Sequence, residues 1–206
     1  TTKAESNICN HLKIRKGDYQ GALKSCAHVF ENTFRVPQVQ HVPLEPHISV
    51  VRVDLAGKVE VHTSAQSPFT VRHLLSHCFK LNHGDVRVIV PNVGGGFGGK
   101  AGINLEPIAT AMAMKVCGRP VRVMVDRHEE FYAVVVRQAL TATLVTGVDT
   151  QGKVQAQKMH YLWDCGGYGG YGVNVVRSAG YTCGGAYEFP NVEGDSIGVY
   201  TNRHIG

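Results

Sequence analysis

Apolar and polar residues along this 206-residue chain repeat with two periods, one typical of helices and one typical of strands. Alternating apolar residues between turn-forming residues predict strands at residues 48–53, 58–62, 86–90, 121–125, 134–148, 153–163 and 196–201. Apolar residues three and four apart predict helices at residues 19–32, 69–81 and 105–116. The chain is therefore predicted to contain seven strands and three helices.

The ends of the predicted helices carry recognisable signals. Asp18 is placed to cap the first helix, Pro68 stands at the first turn of the second, and Gly118 with Pro120 ends the third. Because helices and strands do not alternate strictly, the pattern favours an α+β fold of mixed sheets with packed helices over a doubly wound sheet. We expect a lead-in helix and a Pro-rich connector over residues 1–46 and an α+β body over residues 47–206, forming one domain.

The composition restricts the class of protein. Apolar residues make up 43% and charged residues 18% of the chain, which is typical of an ordered globular protein. The net charge of +5 is dispersed and forms no basic run, so we expect no nucleic-acid partner. No apolar stretch reaches about 18 residues, so we expect no membrane span. The chain starts without Met, and we expect it to be part of a longer subunit.

The six cysteines lie far apart and form no C-x-x-C pair, which excludes ordinary zinc or iron–sulfur ligation within this segment. Their apolar surroundings predict buried free thiols in a reducing cytoplasm. They are Cys9, Cys26, Cys78, Cys117, Cys165 and Cys183.

A glycine-dense loop, residues 94–101 with the sequence GGGFGGKA, follows the predicted strand at 86–90. Its spacing approaches a P-loop, but Ala101 lacks the hydroxyl that would hold Mg²⁺. It also approaches a dinucleotide fingerprint, but the helix starts too late and Asp126 lies too far along the chain. Glycines are expected where the main chain needs a positive φ or approaches another group closely. A flexible surface hairpin loop is the alternative, and the bulky Phe97 argues against it.

Three other positions carry candidate chemistry. His73 and His77 have the spacing of a zinc-protease pair, but Leu74 replaces the required glutamate, so ordinary surface or packing histidines are expected. Glu129 and Glu130 are expected at a solvated helix start. Gln66 lies between a predicted strand and the helix led by Pro68, where its amide can donate a hydrogen bond to an oxo group or carbonyl in a cleft. The alternative for Gln66 is a helix-capping amide.

The candidate residues fall within motifs that, in this order, resemble the molybdenum hydroxylases: xanthine dehydrogenase, aldehyde oxidase and the large subunit of aerobic carbon monoxide dehydrogenase. Together these motifs cover nearly the whole chain. They are Gly17-Asp18, the QHVPLEPH segment at 40–47, residues 63–72 with Gln66-x-Pro68, residues 93–100, Gly118-Arg119-Pro120-Val121 leading to Asp126-Arg127, and Thr201-Asn202.

The resemblance implies the fold and the cofactor. The chain would be the N-terminal part of the molybdopterin-binding domain, with molybdopterin or its cytosine dinucleotide as the cofactor. Gln66 would face the apical oxo group, and Phe97 would lie beside the metal and the substrate. Gly96, Gly98 and Gly99 would bring backbone amides near the cofactor, and no residue would ligate the metal directly.

The resemblance also implies an activity, hydroxylation of an aldehyde or (hetero)aromatic carbon with water as the oxygen source. Electrons would leave through 2Fe-2S and FAD centres on partner domains or subunits. The family's general-base glutamate falls beyond residue 206, in the C-terminal half of the subunit, so no catalytic residue is assigned here and the isolated chain is expected to be inactive. Ala101 stands where xanthine-oxidising members carry a glutamate, so purine hydroxylation is not expected. A cofactor-free binding or assembly module with the same fold is the alternative.

Overall fold

The structure is a computed structural model that describes residues 6–204. Its elements in chain order are β1 (Ile8–Lys16), α1 (Tyr19–Ser25), β2 (His28–Val36), β3 (Ile48–Val53), β4 (Val59–Thr63), α2 (Pro68–Phe79), a 3-10 turn (His83–Asp85), β5 (Val86–Ile89), α3 (Glu106–Val116), β6 (Val121–Met124), α4 (Glu130–Ala133), β7 (Ala139–Val148), β8 (Val154–Asp164), α5 (Gly172–Tyr181) and β9 (Asn191–Val199). The predicted α+β class with mixed sheets is confirmed.

The chain divides into two compact units, one formed by residues up to 39 together with those from 138 onward, and one formed by residues 40–137. The expected single domain with a boundary at residue 46 stays a prediction.

The first unit contains a five-stranded sheet in the order β1-β9-β8-β7-β2. All neighbours are antiparallel except β8 and β9, and α5 lies in the connection between these two parallel strands. Trp163, Cys165 and Val176 form a buried cluster that joins β8 to α5. The Trp163 indole donates a hydrogen bond to Ser196 Oγ at 3.0 Å, which satisfies its one polar group inside the core.

The second unit contains a four-stranded sheet in the order β5-β4-β3-β6. Strands β4 and β5 are parallel, and α2 supplies the crossover that a parallel pair requires. Alternate residues of β3 and β4 are buried, including Val51 and Val61 at 0% exposure. Ala109 and Ala113 of α3 are also fully buried, and their small side chains allow the helix to lie close to β3.

Most element predictions in the second unit are confirmed within one or two residues. The hairpin of β3 and β4, the helices α2 and α3 and the strands β5 and β6 all form where the pattern places them. Pro68 lies in the first turn of α2, and the helix ends at Lys80 in a left-handed conformation.

The first-unit predictions are less accurate. The predicted helix at 19–32 is wrong beyond Ser25, because Cys26 is extended and residues from His28 onward pair with β7 as strand β2. Tertiary pairing overrides the helical spacing of the apolar residues there. Strand β7 begins at Ala139 and not at residue 134, and β9 begins at Asn191, earlier than predicted. Strand β1 and helix α5 were not predicted.

The cysteine prediction holds only in part. All six cysteines are free, but Cys78 and Cys117 are exposed and only Cys165 is buried. Burial raises the pKa of the Cys165 thiol to about 12.

Candidate functional site

The glycine loop lies between β5 and α3 in the second unit. Its backbone adopts positive φ at Gly95 (+97°), Phe97 (+52°) and Gly98 (+95°). A positive φ costs energy for a residue with a side chain, so its presence at Phe97 marks a conformation that the surroundings impose. The Phe97 ring is 73% exposed. The loop therefore presents an aromatic ring outward from a fixed, strained backbone.

Gln66 holds this loop by hydrogen bonds. Its Oε1 accepts hydrogen bonds from the backbone N–H of Gly98 at 3.0 Å and of Lys100 at 3.2 Å. Its own backbone N–H donates to the Lys100 carbonyl at 2.8 Å. Two donors on Oε1 fix the orientation of the amide, because Nε2 cannot accept hydrogen bonds. Among residues 6–204, Nε2 has no acceptor, so this donor stays available.

The alternative that Gln66 caps helix α2 is therefore wrong. The N-cap of α2 is Ser67, and no side chain makes a cap hydrogen bond there. The Gln66 side chain instead holds the glycine loop through the two bonds to Gly98 and Lys100.

The glycines of the loop are required for different reasons. A Cβ on Gly96 would lie 2.5 Å from Gln66 Oε1, and one on Gly99 would lie 2.8 Å from His41 Nδ1. Gly98 has open space around it but a positive φ. The N–H of Gly98 donates to Gln66 and that of Gly99 to the Gly96 carbonyl. Within the described range 6–204, the N–H groups of Gly96 and Phe97 have no acceptor.

Lys100 turns inward from this loop. Its side chain is fully buried, and Nζ donates to Glu45 Oε2 at 2.8 Å and to the Glu45 carbonyl at 2.9 Å. Glu45 Oε2 also accepts from the Gly94 N–H at 3.0 Å. Desolvation raises the pKa of Glu45, but the hydrogen bonds from Lys100 and Gly94 outweigh it and hold the pKa below its ordinary value. A lysine used in this way cannot reach out to a phosphate, which removes the P-loop interpretation.

Glu130 is not at a solvated helix start, and that prediction is wrong. It is 0% exposed, and its Oε1 faces His47 Nδ1 at 2.9 Å and accepts from the His47 backbone N–H at 2.5 Å. His47 Nε2 lies 3.1 Å from the Gly99 carbonyl. Gln40 Nε2 donates to the backbone carbonyl of Glu130. The sequence placed Gln40 and His47 in one motif, but no periodicity linked that motif to Glu130.

His73 and His77 do not act as a pair. His73 Nδ1 lies 3.3 Å from His83 Nε2 on the 3-10 turn, and all three rings are exposed. The expectation of ordinary surface histidines agrees with this geometry.

Comparison with known proteins gives the family. A family model described as the molybdopterin cofactor-binding domain matches residues 1–206. The chain belongs to this family. The recognition made from the spaced motifs is confirmed.

Relatives of this molybdopterin cofactor-binding domain are longer proteins. The nicotinate dehydrogenase large molybdopterin subunit of Eubacterium barkeri is 31% identical over 199 residues, which are 97% of this chain and 47% of that protein. A probable xanthine dehydrogenase subunit of Bacillus subtilis is 27% identical over 98% of this chain and 27% of its own length. The chain thus spans about a quarter to a half of these two relatives.

The fold also matches solved structures. The aldehyde oxidoreductase of Desulfovibrio gigas aligns with a TM-score of 0.89 and 24% identity, covering 97% of this chain and 22% of that one. At this identity the likeness shows the fold alone. No helix in the described part of the chain is long and apolar enough to cross a bilayer.

The residues of the loop fit the cofactor that the family binds. Gln66 and His41 lie so close to Gly96 and Gly99 that neither position has room for a side chain, so the loop backbone packs directly against these two residues. Anionic and oxo groups need hydrogen-bond donors around them. Three donors are available here, namely the backbone N–H groups of Gly96 and Phe97 and the Gln66 Nε2. The domain therefore offers hydrogen-bond donors and one exposed ring on a loop that Gln66 holds by hydrogen bonds.

Proposed function

We propose that this chain is the molybdopterin-binding segment of an oxidoreductase that hydroxylates an aldehyde or (hetero)aromatic carbon with water. One observation carries the proposal, namely the fixed amide of Gln66, whose oxygen is held by Gly98 and Lys100 while its nitrogen stays free to donate. A donor held in place before its partner arrives costs little reorganisation when the partner binds.

Gln66 and four residues of the loop have defined parts in this proposal. Gln66 Nε2 would donate to an oxo group of the cofactor, and Gly96, Gly98 and Gly99 would bring the main chain against it. Phe97, with its exposed ring, would contact the substrate. When bound, the cofactor supplies the oxygen-transfer and two-electron chemistry. The chain itself would bind and orient the cofactor and exclude water from it. No direct metal ligand is assigned to the chain.

The substrate proposal depends on Ala101. Its side chain is only a methyl group, so position 101 offers no carboxylate to accept hydrogen bonds from the ring N–H groups of a purine such as xanthine. We therefore favour an aldehyde or an N-heteroaromatic compound over a purine. The relative named nicotinate dehydrogenase supports a heteroaromatic substrate, and the relative named probable xanthine dehydrogenase makes xanthine the competing substrate to test.

The remaining components lie outside this chain in the proposal. The C-terminal half of the molybdenum subunit would supply the general-base glutamate and the rest of the substrate site. Domains or subunits with 2Fe-2S and FAD centres would accept the electrons. The six free thiols support a cytoplasmic location, because disulfides are rare there.

The test is an activity assay of the full-length protein in ¹⁸O-labelled water with an artificial electron acceptor. Benzaldehyde, nicotinate, quinoline and xanthine form the substrate panel. We expect ¹⁸O in the product of at least one of the first three and no turnover of xanthine. If the protein loaded with molybdenum oxidises xanthine alone, the substrate proposal is wrong. If unlabelled oxygen enters the product, the proposed reaction is wrong.

A further inference from the structure

A chain of contacts links two buried side chains to the amide of Gln66. Glu130 and His47 are 0% and 5% exposed, and His47 Nε2 contacts the Gly99 carbonyl. That carbonyl belongs to the same peptide group as the Lys100 N–H, which donates to Gln66 Oε1 at 3.2 Å. Because a peptide group is planar and rigid, fixing its carbonyl also fixes the direction of its N–H.

We propose that Glu130 and His47 are positioning residues that hold the Gly99–Lys100 peptide group and, through it, the orientation of the Gln66 amide. This inference rests on the proposed function, in which Gln66 faces the cofactor. Neither residue touches the cofactor in this account. Their contribution is to keep the donor of Gln66 aimed in one direction.

The contacts of His47 define its protonation. The Gly99 carbonyl can only accept a hydrogen bond, so Nε2 must carry a hydrogen. The 2.9 Å contact between Nδ1 and Glu130 Oε1 needs a second hydrogen, located on either atom. A neutral His47 with its hydrogen on Nδ1 would leave the Gly99 carbonyl without this donor.

Other charged groups face this pair, and none of them replaces the contact. Lys100 is committed to Glu45, whose carboxylate also lies near His47. The His41 ring interacts at longer range with His47 and Glu130. Burial holds the pKa of His41 below its ordinary value, so His41 favours the neutral form.

The Gly99 carbonyl has a second donor, Asn104 Nδ2 at 3.2 Å. Two donors on one carbonyl determine the plane of the peptide group more narrowly than one. Loss of the His47 contact would leave Asn104 alone, so the loop would loosen without unfolding. This difference makes the proposal measurable in a folded protein.

The test uses hydrogen–deuterium exchange of the full-length protein, expressed without molybdenum and followed by mass spectrometry. The variants are Glu130→Gln and His47→Gln. The control is His62→Gln, because His62 forms an exposed 3.2 Å pair with Glu60 on β4 and, within residues 6–204, makes no hydrogen bond to the loop. We expect peptides covering residues 94–104 to exchange about tenfold faster in both variants, with β3 unchanged and His62→Gln like wild type. Unchanged loop exchange in both folded variants would overturn the proposal.

A second measurement decides the matter if the variants do not fold. NMR of uniformly ¹⁵N,¹³C-labelled wild-type protein reports which ring nitrogens carry hydrogen, with the His47 ring assigned through its covalent connection to its own backbone resonances. We expect a hydrogen on Nε2, and a bare Nε2 would overturn the proposal. Neither measurement needs the cofactor. Their failure is therefore distinguishable from failure of the proposed function, which molybdenum content reports.

Discussion

Gly96 packs against Gln66 so closely that a Cβ atom at residue 96 would lie 2.5 Å from Gln66 Oε1 and 2.8 Å from Cδ. The absence of a side chain at 96 is therefore a condition for the position of the Gln66 amide. The site therefore needs a residue without a side chain at position 96 as well as the hydrogen-bond donors around it.

Gly96→Ala should displace the Gln66 amide, because the methyl group and the amide cannot occupy the same space. We expect cofactor content and turnover of the full-length protein to fall several-fold, with a stability loss of about 1–3 kcal/mol. Gly102→Ala is the matched control, since no atom lies within 4 Å of a Cβ at that position. Equal molybdenum content in both variants would contradict the role given to this contact.

Removing the buried charge of Lys100 should destabilise the loop. Lys100→Met leaves the Glu45 carboxylate without its cation and both Glu45 acceptors without the Nζ donor. We expect a loss of about 2–4 kcal/mol in the free energy of unfolding, measured by urea denaturation. Lys115→Met, at an exposed position of α3, should change it by less than about 0.5 kcal/mol. A similar small effect of both substitutions would show that the Lys100–Glu45 pair does not stabilise the fold.

Asp195 should contribute stability that acid removes. Desolvation raises the pKa of Asp195, but hydrogen bonds from His11 and Arg15 outweigh it and hold the pKa below its ordinary value of 3.8. The contribution is present above pH 3.8 and is lost as the pH falls through the lower folded-state pKa. Asp195→Asn should therefore cost about 1 kcal/mol at pH 7, a modest value because Arg15 is half exposed.

The difference between wild type and Asp195→Asn should shrink between pH 7 and pH 3 in urea titrations at both values. Glu188→Gln serves as the control, since Glu188 is exposed and forms no ion pair within residues 6–204. A difference that grows toward acid pH would show that the ionised carboxylate is not the stabilising form.

The thiols should differ in reactivity. The thiolate is the form of cysteine that reacts with iodoacetamide. Burial raises the pKa of Cys165 to about 12, whereas Cys78 and Cys117 are exposed. Cys165 should therefore react on the order of 100-fold more slowly than the other two thiols. Peptide mass spectrometry of the native protein measures the three rates, and urea-unfolded protein provides the control in which they converge. Comparable native rates would contradict the burial of Cys165.

The sequence predicted the second unit better than the first for physical reasons. Helix α2 and the hairpin of β3 and β4 are defined by local signals, namely Pro68 at the helix start and strict alternation in the strands. Strand β2 forms only because β7, more than 100 residues later, pairs with it. No local pattern contains such a partner, so the helical spacing within residues 19–32 was misleading.

In the candidate site, too, the residues marked by local signals could be predicted and those that depend on distant partners could not. Gln66 and the glycine loop could be identified because they stand at element junctions and carry unusual composition. Glu130 could not, because its partner in the core is His47, 83 residues away. An acidic residue at the start of a short helix is normally solvated, and only the folded chain shows this one buried against His47.

The central claim is that the glycine loop and Gln66 bind a molybdenum–pterin cofactor. The most direct measurement is the molybdenum and pterin content of the full-length protein, purified after expression with ample molybdenum, by elemental analysis and pterin fluorescence. We predict about one molybdenum and one pterin per subunit. Absence of both from the folded protein would contradict the account and would favour a cofactor-free module with the same fold.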